Sequence, residues 1–321
     1  MLIVLGTTTV DLFLSGLDHM PVPEGDEFRS DNFAFCREPL NLVLGGNGAN
    51  AAYALAALGA APSLCSALGR DPLGGIASDW LEEAGVQTDA VVRSDTDATA
   101  TTTVLTDPQR NRQSFHHAGA TATFALDDIS TPYFARADQL LVTGYPLLRG
   151  WRPDGVAEAL RRAHRAGATT LLDIGPAIDA PPTLDELAPL LPDVDHLLGN
   201  AYELRTCTDR SALDAAAADV MAAGARTVVA KRGADGATLF RPHAPPEPVP
   251  GIEVEVRTTV GAGDAFDAGF LYCLQRGAAL PRALRFANAT AAGVVAADDG
   301  ILGAPDVPAV ERLMKRSPAS E

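Results

Sequence analysis

The second half of the chain alternates between short apolar runs and stretches with helical spacing. QLLVT (139–143), TTLLDI (169–174), HLLGN (196–200) and TVVAK (227–231) have strand length, and 153–166 and 211–223 carry apolar residues three and four apart. Strands alternating with helices predict a mostly parallel sheet, covered on both faces and joined by right-handed crossovers. Ligands of such sheets settle beyond the carboxyl ends of the strands. The residues to examine are therefore Gly144 and Tyr145, Asp173, Asn200, and 231–233.

The first half has a different texture. A strand at 2–5 and a glycine-rich turn into a helix at 48–58 fit the same sheet, but two segments, 12–36 and 99–117, carry polar residues on both faces. TATTTVLT alternates, DPQRN reads as a turn, and RQSFHH follows it. Such strands suit a small β lid that leaves the main sheet; ordinary edge strands are the alternative. PHAPPEPVPG (242–251) reads as a rigid surface loop and the terminal KRSPASE as a frayed end. A length of 321 residues suits one large domain, 1–321, with the lid segments inserted in it.

Composition narrows the partners. The apolar stretches are too short or too interrupted to cross a bilayer, and MLIVLGTTTVDLF lacks the basic start and small-residue cleavage site of a signal peptide, so a cytoplasmic location is expected. Cys36, Cys65, Cys207 and Cys273 show no CxxC spacing, which argues against a zinc site or a disulfide framework. A formal charge of −16 disfavours nucleic acid. Small anions remain acceptable, because the dipoles of a helix start bind them whatever the global charge.

Four short motifs carry candidate chemistry. In TTVGAGDAFDAGF (258–270), Gly261 and Gly263 let the backbone turn and expose successive N–H groups, and a helix is expected from Ala265. The helix dipole would lower the pKa of Asp264 and make it a weak base until a phosphate arrives. Asp264 as a helix cap behind a plain turn is the alternative. In LGGNGANAAYALAALG (44–59), Gly45 and Gly46 permit close ligand approach, and the amides of Asn47 and Asn50 can read hydroxyl pairs or cap the helix. Asp11, after the first strand, could accept two hydroxyls or serve as a turn residue. Asn200 and Glu203, three apart on a helix's first turn, could hold the water shell of Mg²⁺ or form a capping box.

Together these pieces resemble the ribokinase-like (PfkB) family of ATP-dependent sugar and nucleoside kinases over essentially the whole chain. GGNGANAA is similar to the family's N-terminal signature, TTVGAGDAFDAGF to its C-terminal one, NAYE to its NxxE motif, and KRGADGA to its strand-loop near the nucleotide. The resemblance implies a three-layer α/β/α fold with a mostly parallel central sheet and a β lid. It implies Asp264 as catalytic base, and Gly261, Ala262 and Gly263 as an anion hole. Asp11, Gly45, Gly46, Asn47 and Asn50 would bind the acceptor's hydroxyls. Asn200 and Glu203 would organise Mg²⁺ and phosphates, Glu203 through water, and Lys231, Gly233, Gly236 and Asn288 would border the ATP.

The chain also departs from the family. Thr258 stands where the family usually has an aspartate that helps form a potassium site, which puts K⁺ dependence in doubt. Asn47 replaces the lysine of ribokinases proper, and Gly144 and Tyr145 stand where those carry a glutamate, so ribose is not favoured. The expected reaction moves the γ-phosphoryl of ATP to a primary hydroxyl of a monosaccharide or sugar acid. A nucleoside kinase, with Phe33, Phe35 and Phe115 holding a base, and a catalytically silent sensor are the alternatives. His116 or His117 could reach the acceptor, and pairing of two lids would give a homodimer.

Overall fold

The computed structural model describes residues 1–21, 33–107, 112–130, 132–178 and 180–316. Parts of the expected lid (22–32 and 108–111) and the terminal 317–321 lie outside the described residues.

The strands are β1 (Leu2–Leu5), β2 (Thr9–Leu14), β3 (Asn41–Gly45), β4 (Pro62–Gly69), β5 (Val91–Ser94), β6 (Ala100–Thr106), β7 (Arg112–His117), β8 (Gln139–Val142), β9 (Thr169–Asp173), β10 (His196–Asn200), β11 (Thr227–Lys231), β12 (Ala237–Phe240) and β13 (Glu247–Val249). The helices are α1 (Asn47–Ala57), α2 (Pro72–Glu83), α3 (Asp154–Arg165), α4 (Leu184–Leu187), α5 (Ala201–Thr208), α6 (Leu213–Ala222), α7 (Ala262–Gln275), α8 (Leu280–Val295) and α9 (Val307–Arg316).

The nine-stranded sheet runs β13-β12-β11-β10-β9-β8-β1-β4-β5. Every pair from β11 to β5 is parallel, and β12 and β13 extend the edge in antiparallel sense. Both faces are buried, which is why these strands read as continuous apolar runs. Leu2 and Val4 of β1 enter one core, with α1, α7 and α8, while Ile3 and Leu5 enter the other, with α3, α5 and α6. Neighbouring strands split in the same way, Leu171 against Leu172 and Leu198 against Leu197. Each fully buried Leu contributes about 1.5–3 kcal/mol relative to exposure.

A second, four-stranded sheet runs β3-β2-β6-β7. β2 pairs with β6 in parallel, and β3 and β7 flank them antiparallel. Its edge strand β3 comes from NLVLG, of which the sequence reading took only Leu44 and Gly45, as the start of the glycine-rich motif. Within 12–36, the described residues supply the end of β2 and a bridge between Leu17 and Cys36.

The stretch 242–251 is not merely a surface loop, because Glu247–Val249 pairs with β12. A proline at the sheet's edge removes no ladder donor when its nitrogen faces outward, which allows a strand in so proline-rich a segment.

Candidate active site

Helix α7 begins at Ala262, three residues earlier than its apolar spacing indicates, and Gly261 is its N-cap with φ 78°. That left-handed conformation is one that glycine adopts without cost. Asp264 therefore lies in the first turn and is not the cap. Its neighbours Gly263 and Asp264 itself present N–H groups that meet no acceptor among the described residues, as expected of a helix start. An anion would satisfy them.

Asp264 is only 6% exposed. Asn47 Nδ2 donates to its Oδ1 at 2.8 Å and Asn50 Nδ2 to its Oδ2 at 2.8 Å. The two asparagines sit three apart on the first turn of α1, so their amides point the same way. Gly144, at the end of β8, backs Asn47 so closely that a Cβ there would lie 2.6 Å from Asn47 Oδ1. Burial pushes the Asp264 carboxyl up to about 6, against the pull of the two amides and of Lys231, while Asp173 adds to the rise. The expected lowering by the helix dipole is thus reversed: loss of water outweighs the oriented amides.

On the lid side, Thr9 Oγ1 donates to Asp11 Oδ1 at 2.8 Å. Gly45 lies opposite Thr9 in the β2–β3 register, and a Cβ at 45 would fall 2.4 Å from Thr9 Oγ1 and 2.5 Å from the Asp11 carboxylate. Gly46 is the N-cap of α1, with φ 87°. Across the lid, Asp11, Thr102 and His116 are directly paired, so they share one face. Thr102 Oγ1 and His116 Nδ1 are 3.1 Å apart. Burial holds the His116 imidazole below its ordinary pKa, and the charges of His117 and Arg149 work the same way against Asp11. His117, one residue on, points to the opposite face.

On the other side, Lys231 ends β11, level with Asn200 at the end of β10. Its Nζ reaches Asp173 Oδ1 at 3.1 Å and both Asp267 oxygens at 3.1 and 3.2 Å. Burial opposes the charge on Lys231, but Asp173, Asp267 and Glu203 more than offset it, and its pKa is raised. Asp267 is raised by burial and by the nearby carboxylates Asp173 and Asp264.

Asn200 and Glu203 form the capping box: Asn200 N–H donates to Glu203 Oε2 at 2.6 Å and Glu203 N–H to Asn200 Oδ1 at 2.8 Å. Burial, then Asp173, raises the Glu203 pKa. Among the described residues no group of three or more His, Cys, Asp or Glu could hold a metal ion. Asn288 Nδ2 donates to Val249 O and Pro250 O at 3.3 and 3.0 Å, and Gly236 packs against the same turn. Gly233 borders open space. Thr258 Oγ1 accepts the Val260 N–H at 3.1 Å, a neutral hydroxyl braced within its own loop.

A family model described as pfkB family carbohydrate kinase matches residues 38–306. The chain belongs to the PfkB family of carbohydrate kinases. It is 31% identical over 283 residues to an ATP-dependent ribose-1-phosphate kinase of Halopiger xanaduensis, covering 84% of this chain and 86% of the relative. It is 26% identical over 281 residues to a 5-dehydro-2-deoxygluconokinase of Shouchella clausii, covering 85% and 86%. The Arabidopsis thaliana ribokinase complexed with ribose and ATP superposes with a TM-score of 0.82 at 25% identity, covering 98% of this chain and 99% of that one. The chain is a phosphotransferase with an alcohol group as acceptor.

In this PfkB kinase the structure brings Asn47, Asn50 and Asp264 into direct contact, and sets Lys231 against the first turn of α7. It does not bring Asn288 or Gly236 to those side chains; they build the turn beside β13. Sequence reading did not single out Asp267. Its one signal was an aspartate placed among apolar helical positions in GDAFDAGF, one turn beyond Asp264.

Proposed function

We propose that this kinase moves the γ-phosphoryl group of ATP to a primary hydroxyl of a monosaccharide or sugar acid, with Asp264 as the base. The observation that carries the reading is a buried carboxylate with pKa about 6, gripped by two amides beside unpaired helix-start N–H groups. The acceptor hydroxyl gives its proton to Asp264 as its oxygen attacks the γ-phosphorus, and the bond to the β,γ-bridging oxygen breaks to release ADP. The N–H groups of Gly261, Gly263 and Asp264 meet the charge that develops on the phosphoryl oxygens, whereas the Ala262 N–H is already given to Thr259 O at 3.4 Å. Asn50 Oδ1 is buried without a partner and suits a donated hydroxyl, as does the Asp11 carboxylate on the lid face.

Mg²⁺ supplies charge neutralisation between the phosphates when bound. Asn200 and Glu203 would organise it, Glu203 through water; a glycine at 175 leaves room there, since a Cβ would sit 2.3 Å from Glu203 Oε1. Lys231, Gly233, Gly236 and Asn288 would flank the nucleotide.

The raised value of Asp264 has a sign for activity. A base must be ionised, so kcat/KM holds above about pH 6 and falls as pH drops through it, by about tenfold per unit. The sign for stability is opposite: this carboxyl contributes stability below its ordinary value of 3.8, and the contribution is lost as pH rises through about 6. A pH–rate profile with no acid limb between 5 and 7 would contradict the assignment.

The relatives' names make sugar phosphates and sugar acids the first acceptors to try. A phosphorylation panel of neutral sugars, ribose-1-phosphate, 5-dehydro-2-deoxygluconate and nucleosides, read by ADP release, is the direct test. Turnover of nucleosides alone would favour the nucleoside-kinase reading, with exposed Phe33, Phe35 and Phe115 near the lid. Ligand binding without turnover of any acceptor would favour a sensor.

Leu40 and Phe115 are exposed at or beside the lid's edge strands, and we read the kinase as a homodimer that covers them. Light scattering should give twice the 33.4 kDa chain mass; a monomer at micromolar concentration would overturn this. We read the enzyme as cytoplasmic from its use of ATP. Among the described residues no helix is long and apolar enough to cross a membrane. Recovery of the activity from an extracytoplasmic fraction would overturn that location.

A further inference from the structure

Three elements meet on one ammonium group. Lys231 comes from the end of β11, Asp173 from the end of β9, and Asp267 from α7, one turn beyond Asp264. Asp267 is fully buried and Asp173 nearly so, with side chains 0% and 5% exposed, whereas 13% of the Lys231 side chain stays exposed. Burying such charges is at best neutral for stability, since apolar residues of similar volume do as well. Their position offers a reason for them.

A lysine ammonium has three N–H bonds. One meets Asp173 Oδ1, and the contacts to Asp267 at 3.1 and 3.2 Å are those of a second shared between its two oxygens. A third donor remains. The ammonium lies against the first turn of α7, where a Cβ on Gly263 would be 3.6 Å from Nζ. Around Asp264 stand the amides of Asn47 and Asn50 on α1, the carboxylates Asp173 on β9, Glu203 on α5 and Asp267 on α7, and the cation Lys231 on β11. A polyphosphate tail that enters this group of carboxylates needs a fixed positive charge at the point of transfer.

We propose that Lys231 is a catalytic residue that donates its third N–H to the phosphoryl group in transit, and that Asp173 and Asp267 are positioning residues that hold it there. The assignment rests on the functional reading above. It goes beyond a lysine that merely borders the nucleotide: the tether aims the charge at the helix start that carries the base. Two carboxylates on one ammonium also keep it protonated throughout the working range of the enzyme.

The test compares wild type, Lys231→Met and the charge-reduced double variant Lys231→Met/Asp267→Asn. Each is followed by kcat, by KM for both substrates, and by calorimetric binding of a non-hydrolysable ATP analogue. The expected result is a kcat lower by about 10²-fold in both variants, with analogue affinity within about threefold of wild type. The acid limb of kcat/KM should move to higher pH in Lys231→Met, because a cation that favours ionised Asp264 is gone. The double variant removes an ion pair as a unit, so it keeps the experiment readable if the single variant does not fold.

A folded double variant with kcat within about threefold of wild type would show that the tether is only structural and overturn the proposal. Loss of analogue affinity in proportion to kcat would also overturn it, making Lys231 a ground-state nucleotide ligand. Wild-type turnover measured in parallel separates the two readings. An inactive wild type defeats the functional reading, while an active wild type beside an equally fast double variant defeats only this assignment.

Discussion

Asp264→Asn abolishes phosphoryl transfer, with kcat lower by on the order of 10² to 10⁴-fold, and leaves ATP binding within a few-fold of wild type. The amide has the carboxylate's shape but cannot take a proton. The fold around it survives for a specific reason. An amide NH₂ at 264 faces a donor where an acceptor had been, yet Asn50 Oδ1 is buried without a partner, so a flip of the Asn50 amide turns that oxygen toward the new donor. The helix-start N–H groups do not depend on the side chain's charge and still receive phosphate. Single-turnover kinetics with calorimetry separates the two quantities. A variant with wild-type kcat would strip Asp264 of its role, and one that no longer bound ATP would make it a binding residue.

Phe270→Ala is the largest expected loss of stability, about 3–5 kcal/mol. Phe270 is fully buried on α7, two turns beyond the base, and its ring meets the His196 imidazole edge-on at 5.4 Å. Burial holds His196 down to about 4, so that imidazole is neutral and behaves as an aromatic partner. Truncation leaves a void between α7 and the sheet, and the same helix positions Asp264 and Asp267. The urea midpoint should fall with little change in slope, and kcat of the folded fraction should fall less than in Asp264→Asn. An unchanged midpoint would mean that the layer on that face of the sheet repacks freely.

The parallel strands β1 and β8 to β11 were legible because they are buried on both faces and read as uninterrupted apolar runs, whereas β4 and β5 were not picked out. The lid strands β6 and β7 were legible from the alternation of 99–117, whereas β2 was not, and Asp11, read as lying just past the first strand, sits inside β2. The edge strand β3 was not legible, because NLVLG is short and runs straight into the glycine-rich turn, where its last two residues were read as part of that turn. Prolines hid β13 in the same manner. Within the site, the residue types of the glycine motifs were visible in sequence, whereas Asp267 was not, since its significance depends on Lys231, 36 positions away. The pKa of Asp264 was out of reach for a related reason. The helix dipole is a local property that sequence reveals, but burial is created by α1, β9 and β11 arriving from distant parts of the chain.

One further consequence lies in how the first strand continues. β1 belongs to the large sheet and β2 to the small one, and only residues 6–8 separate them. Asp11 thus rides on the small sheet and Asp264 on a helix packed against the large one, with three residues linking β1 to β2. If Asp11 grips the acceptor and Asp264 is the base, as proposed, any tilt of the small sheet about this link that parts the two carboxylates would draw the acceptor away from the base.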